Sequence, residues 1–239
     1  MKISVPHPWR VDNRTAVSIQ EWLRGRVVCS LPRDTEMRVT CFSSINISLT
    51  DGWPPKFRIT SDTYTWPEVE LYSSIERVGS GAIWPPDTEI FSYGELLCDL
   101  LKENEQVDMM IVNRPGVCHP RYFGPASHIG IITELPTISI TRELEYGYLE
   151  GLKIMCDETT YVPSEESIEA AKKLEFNINL STKTYGGIVG AKLPDSHHIV
   201  IGHMSTPGEA KYIVNRLSEV VPLSSIITGG PLWNYDVST

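Results

Sequence analysis

The chain has 239 residues, of which 41% are hydrophobic and 21% are charged. This composition is typical of a folded globular protein, and it excludes a disordered tail, a collagen-like fibre and a disulfide-rich scaffold. The formal net charge of −9 excludes a strongly basic nucleic-acid-binding protein. Any contact with nucleic acid therefore requires a local basic patch.

The cysteines and the amino-terminal residues indicate a compartment. No two cysteines are closer in sequence than Cys29 and Cys41, so neither a zinc site nor a disulfide framework is predicted, and reduced thiols are favoured. Residues 1–10 lack the apolar core of a signal peptide, and no stretch is apolar for long enough to span a membrane. The sequence thus predicts a cytoplasmic location without membrane contact.

The first third of the chain predicts one helix followed by three strands. Asp12 or Asn13 can cap a helix that runs roughly to Val27, because apolar residues recur there at helical spacing. From position 39 to 49, apolar and polar residues alternate, which is typical of a strand. Two further strands, near 56–61 and 68–78, complete a meander.

The middle of the chain predicts a unit of two parallel strands joined by a helix. After a predicted helix at Phe91–Leu101, the short apolar run Met109–Val112 is typical of a buried strand. A helix at Pro125–Thr133 and a strand at Thr137–Thr141 follow. This order predicts a right-handed crossover.

The last third predicts a helix, a hairpin and a final helix. The helix spans 165–174, and strands at 187–192 and 198–201 form the hairpin. A capping box over Thr206–Glu209 begins the final helix. The tail from Gly229 is predicted to be loose, although Trp233 and Tyr235 could dock.

One long segment resembles the hallmark of the endonuclease V family, which reads roughly VDGxGxxHPRxxGxASHxG. The segment runs from Val112 to Gly130. The residues that match at the right spacing are Gly116, His119, Pro120, Arg121, Gly124, Ala126, Ser127, His128 and Gly130. Residues 135–142 resemble the IPTIGVAK segment of the family, and 201–203 resemble its PGH segment.

The resemblance covers about residues 8–222 and implies an RNase H-like fold. This is an α/β fold, in which a mixed sheet combines an antiparallel meander with parallel strands and has helices on both faces. No linker divides the chain, so residues 1–239 are predicted to form one domain, with 229–239 as the loose tail. The family cuts DNA or RNA near deoxyinosine or inosine and uses Mg²⁺.

The metal site of the family is where the chain departs from the pattern. Three acids bind the metal in the family, and their matching positions here are Ser43, Glu95 and Asn113. A site whose only carboxylate is Glu95 should hold Mg²⁺ far more weakly than one with three. The resemblance thus predicts a pseudoenzyme without a cofactor. Glu95 could instead be the partner of Ser92 in a capping box.

Further site residues are implied by the resemblance, each with a structural alternative. Trp84 lies near the position of the base-stacking wedge of the family. Arg142 matches a lysine near the scissile phosphate, and His203 matches a histidine near the active site. The motif also places Gly116, His119, Arg121 and His128 in the ligand-binding loop. The alternatives are a turn for His119, burial for His128 and a plain salt bridge for Arg142.

Three functions follow from this pattern. The first is an inactive family member that retains a cationic cleft for nucleic acid or another anionic ligand, or that binds a protein partner. The second is an active Mg²⁺-dependent endonuclease with a metal site rebuilt around Glu95, Asn113 and another acid such as Asp108 or Asp51. The third is an enzyme that acts on a small molecule in the same cleft.

Overall fold

The computed structural model of the protein describes residues 3–29, 41–50, 56–82, 84–104, 107–174 and 182–223. The helices are α1 (Asn13–Arg24), α2 (Ile90–Glu103), α3 (Pro125–Thr133), α4 (Glu165–Lys173) and α5 (Pro207–Ser218), and Pro86–Thr88 forms a 3-10 turn. The strands are β1 (Cys41–Leu49), β2 (Phe57–Thr65), β3 (Leu71–Gly79), β4 (Met109–Val112), β5 (Thr137–Thr141), β6 (Tyr148–Glu150), β7 (Lys153–Cys156), β8 (Thr160–Tyr161), β9 (Thr182–Lys183), β10 (Gly187–Lys192) and β11 (His198–His203).

Nine of these strands form one mixed sheet in the order β3-β2-β1-β4-β5-β11-β10-β7-β6. The central pairs β1–β4 and β4–β5 are parallel, whereas the meander β1–β2–β3 and the strands from β5 to β6 are antiparallel. Strands β8 and β9 pair separately. The predicted combination of a meander with parallel strands is therefore confirmed.

The two faces of the sheet carry separate apolar layers. Met110 and Val112 of β4 pack in a cluster with residues from α1, α2 and α3, while Met109 and Ile111 pack in a cluster with residues of α5. Because side chains alternate along a strand, β4 is buried on both of its faces. The predicted placement of helices on both faces is confirmed.

Several element bounds differ from those predicted. Helix α1 ends at Arg24, three residues before Val27. The next residue, Gly25, is the C-cap, and its N–H donates to Leu23 O. Strand β3 begins at Leu71, because residues 65–70 form a turn. In this turn Thr65 N donates to Glu70 O, and Val69 N donates to Thr65 O. The short strands β6 and β7 were not predicted. Residues 39–40 and the tail from Gly229 lie outside the described residues.

The thiols whose surroundings are described are free. These are Cys29, Cys98, Cys118 and Cys156. Burial raises the pKa of Cys29 and of Cys98 to about 12. In the described ranges, no helix is both long and apolar enough to cross a membrane.

Candidate functional site

The motif loop consists of residues 113–124, between β4 and α3, and its main chain contacts β11 directly. Gly116 lies so close to this strand that a Cβ atom there would come within 2.3 Å of Ile201 O. Val117 N donates to the same oxygen at 3.1 Å, and Gly124 N donates to Gly116 O at 2.9 Å. The glycines of the motif thus allow a close backbone approach.

Asn113 closes the ladder between β1 and β4 with its side chain. Asn113 N donates to Ile45 O at 3.1 Å, as a parallel ladder requires. The next bond uses the side chain, because Ile47 N donates to Asn113 Oδ1 at 2.9 Å and Asn113 Nδ2 donates to Ile47 O at 3.3 Å. A carboxylate at position 113 could accept the bond from Ile47 N, but it has no N–H group to donate to Ile47 O.

Arg114 forms a buried ion pair with Glu89. The side chains are 4% and 3% exposed, and Arg114 Nε lies 3.2 Å from Glu89 Oε1. The guanidinium also donates to Asn113 O at 2.8 Å and to Ile47 O at 2.5 Å. Burial raises the pKa of Glu89, and the charge of Arg114 opposes this shift. A buried carboxylate needs such a cation to remain ionised.

Glu89 is the site residue that the sequence analysis missed. It lies immediately before α2, at the N-cap position, and its side chain makes no capping bond. Tyr93 OH donates to Glu89 Oε1 at 3.3 Å from within the helix. The available signal was an acid just before a mostly apolar helix, together with an arginine next to Asn113.

The loop residues His119 and Arg121 are engaged within the protein. The guanidinium of Arg121 donates to Asp87 Oδ2 at 2.6 and 2.8 Å and to Gln20 Oε1 at 2.9 Å. His119 is fully buried and its Nδ1 accepts from Arg121 N at 3.2 Å. Burial, assisted by the Arg121 charge, lowers the pKa of His119 to about 3, so the imidazole is neutral at physiological pH.

His128 is buried in an aromatic cluster, as the structural alternative predicted. Its Nε2 lies 2.7 Å from Nε2 of His7, and its ring stacks on Trp9 at a centroid distance of 5.4 Å. Burial lowers the pKa of both histidines, so one neutral ring donates to the other. This contact fixes the amino-terminal segment onto α3.

Glu95 lies on the exposed face of α2 and pairs with Arg10. Its Oε2 accepts from Arg10 at 3.1 Å, and the two side chains are 61% and 88% exposed. Both residues line an open groove of about 840 Å³ together with Trp9, Trp84 and Asp99. The structure therefore brings Glu89, rather than Glu95, to the residues around Asn113.

The predicted capping box of Ser92 and Glu95 is wrong. Helix α2 begins earlier, at Ile90, so Ser92 is already inside it. The Ser92 hydroxyl accepts from Trp84 N at 3.1 Å. Trp84 packs at a tilt on Phe91, with a centroid distance of 5.7 Å, and is half-buried at the edge of the groove.

The remaining predicted site residues lie on or next to three strands. Ser43 is paired with Met110 of β4 in the parallel register, and its side chain lies outside the described part of β1. His203, at the end of β11, is buried, and its Nδ1 accepts from Val28 N at 3.2 Å. Burial lowers its pKa to about 4. Arg142, just after β5, is exposed.

Glu145, near this site, has a pKa far from the ordinary value of a carboxyl group. Burial, then the charge of Glu89, raises its pKa from an ordinary value of 4.5 to about 8, while Arg114 opposes the shift. The native state therefore holds a proton that the unfolded state releases, so the contribution of Glu145 to stability is most favourable below pH 4.5 and is lost as the pH rises through 8.

Glu145→Gln should abolish this loss of stability at alkaline pH. Because Glu145 is partly exposed, solvent screens part of the effect. Above pH 8 we expect the free energy of unfolding of the variant to exceed that of the unmodified protein by about 1–2 kcal/mol. Urea titrations at several pH values would measure it. The control is Glu150→Gln, at an exposed carboxylate in β6. An unchanged pH dependence in Glu145→Gln would contradict the prediction.

The donor groups around Asn113 do not fit a divalent metal ion. In the described part of the chain, no group of three or more His, Cys, Asp or Glu residues is placed to hold a metal. The carboxylate of Glu89 already faces Arg114, and the amide of Asn113 is used by Ile47. Mg²⁺ requires oxygen ligands, usually with carboxylates among them, that are not already engaged.

Comparisons with known proteins agree on one family. The family model described as Endonuclease V matches residues 90–223, which is more than half of the chain. Endonuclease V of Trichormus variabilis is 26% identical over 152 residues, which cover 64% of this chain and 68% of the relative. The match to the family model includes β4, the motif loop, β11 and α5.

Solved structures share the fold at low sequence identity. The crystal structure of Endonuclease_V from Bacillus subtilis superposes with a TM-score of 0.66 at 14% identity and covers 91% of this chain and 88% of its own. Endonuclease V of Ciona intestinalis, in complex with a 24mer DNA containing an inosine followed by a ribo-adenosine, gives a TM-score of 0.57 at 16% identity. That match covers 84% of this chain and 86% of the other.

Proposed function

The chain belongs to the endonuclease V family, and on this premise we propose that it binds nucleic acid without hydrolysing it. The loss of hydrolysis is supported above all by the residues around Asn113. Its amide completes the β1–β4 ladder, and the nearby carboxylate of Glu89 faces Arg114. Hydrolysis with a metal ion needs carboxylates that are open to the cation and an activated water.

Two observations support nucleic acid as the ligand. The Ciona relative was solved with a DNA that contains inosine, and its fold covers most of this chain. Arg142, which matches a family lysine near the scissile phosphate, is exposed and forms no ion pair with any residue that the structure describes. Exposed guanidinium groups bind phosphates, and these contacts supply most of the affinity of weak, sequence-independent binding.

Binding and cleavage can be tested on the same oligonucleotides. Single-stranded DNA and RNA with one inosine, each matched to an adenine control, are incubated with the protein in Mg²⁺ and then in Mn²⁺. We expect intact oligonucleotide on denaturing gels and binding in fluorescence anisotropy, with a dissociation constant on the order of micromolar at low salt. Metal-dependent cleavage one bond past the inosine that is lost in Glu89→Gln or Glu95→Ala would overturn the proposal.

Arg142→Ala should weaken binding to every oligonucleotide and reduce its salt dependence. Removing one phosphate contact lowers the slope of log affinity against log salt by about 1. The matched control is Lys211→Ala, which removes an exposed charge from α5, and it should leave the slope unchanged. Equal slopes for Arg142→Ala and the unmodified protein would show that Arg142 does not contact a phosphate.

A further inference from the structure

The guanidinium of Arg114 lies in a shell of oxygen atoms of the kind that binds a cation. Glu89 Oε1 is 3.2 Å from Nε, Asn113 O is 2.8 Å from Nη1, and Ile47 O is 2.5 Å from Nη2. One carboxylate oxygen and two main-chain carbonyl oxygens therefore surround a single buried positive charge. Hard divalent cations take the same oxygen types as ligands.

We propose that Arg114 takes the place of the divalent metal ion of the family, so that this site carries its own cation. The proposal rests on the proposed function only in treating position 113 as that of a family acid. Among the described residues, Glu89 is the acid within ion-pair distance of this guanidinium, so one negative charge faces one positive charge. A family site with three acids needs a cation of higher charge.

The surroundings of the pair explain why Arg114 excludes a second cation. The side chains of Arg114 and Glu89 are nearly inaccessible to solvent. A divalent ion would meet a fixed positive charge within a few ångströms in a medium of low dielectric, where the repulsion is strong. Adding an acid at position 113 alone is therefore insufficient to create a metal site, because the resident guanidinium remains.

The test compares variants with and without Arg114 in the same background. Mn²⁺ binding is measured by electron paramagnetic resonance for the unmodified protein, Asn113→Asp, Arg114→Gly and the double variant Asn113→Asp/Arg114→Gly. We expect the double variant to bind Mn²⁺ at least about tenfold more tightly than Asn113→Asp. Adding Glu89→Gln to the double variant should abolish this gain.

A matched control variant removes Arg10, the arginine that pairs with the other candidate acid, Glu95. Arg10→Gly frees Glu95 from its exposed ion pair, and we expect no Mn²⁺ binding there. Equal binding by Asn113→Asp and the double variant would overturn the proposal, as would tight binding by the unmodified protein or by Arg10→Gly. None of these readouts depends on nucleic acid, so the proposal can fail while the proposed function stands.

A second measurement covers variants that do not fold alone. If Arg114→Gly or the double variant is insoluble, it is refolded with and without millimolar Mn²⁺, with the soluble yield as the readout. Because the metal would replace the missing charge beside Glu89, we expect Mn²⁺ to raise the yield of the double variant. A yield that does not respond to Mn²⁺ would overturn the proposal.

Discussion

Arg114→Met should lower the free energy of unfolding by about 3–5 kcal/mol, the usual cost of removing one partner from a buried ion pair. Glu89 would remain buried without its cation, and Ile47 O and Asn113 O would lose a charged donor. Urea titration followed by circular dichroism measures the change. The control is Arg216→Met, which breaks an exposed pair with Glu219 and should change stability little.

The same variant should respond to pH in a defined direction. Burial raises the pKa of Glu89 even beside Arg114, and without the guanidinium the rise is larger. The folded variant then keeps a proton that the unfolded chain loses, so its stability falls more steeply with rising pH than that of the unmodified protein. Adding Glu89→Gln should recover part of the stability and flatten this dependence. A double variant as unstable as Arg114→Met would show that the unpaired Glu89 does not cause the loss of stability.

Asn113→Ala should destabilise the fold by about 1–3 kcal/mol, because Ile47 N loses its buried acceptor. Ile47 O keeps a donor from Arg114, so the loss comes mainly from the orphaned N–H. Hydrogen exchange of the Ile47 amide, measured by NMR, should become markedly faster. Asn215→Ala, at an exposed position of α5, is the control. An unchanged exchange rate at Ile47 would mean that the side-chain bond does not hold the ladder.

The order of helices and strands could be predicted because it is encoded in local periodicity. The run Met109–Val112 is apolar at every position, and the strand it predicts is buried on both faces. Thr206 and Glu209 form the capping box expected from their spacing. These two features depend on a few neighbouring residues, and tertiary contacts have not overridden them, unlike the capping box predicted at Ser92 and Glu95.

The charge balance of the site could not be predicted in the same way. The family motif predicts that Arg121 binds a ligand from its loop, but Asp87, which neutralises it, is distant in sequence. Glu89 was missed because its importance comes from Arg114, which reaches it only in the folded sheet. The neutral state of His119 likewise follows from burial, which local sequence does not reveal.

The contacts of Asn113 and Arg114 constrain which residues either position can hold. An aspartate at position 113 would lose the bond to Ile47 O while the guanidinium still faced Glu89, and a glycine at position 114 would leave Glu89 without a counter-charge. Each of these two substitutions alone is therefore expected to destabilise the fold, and a double variant more stable than either single one would show sign epistasis between the two positions.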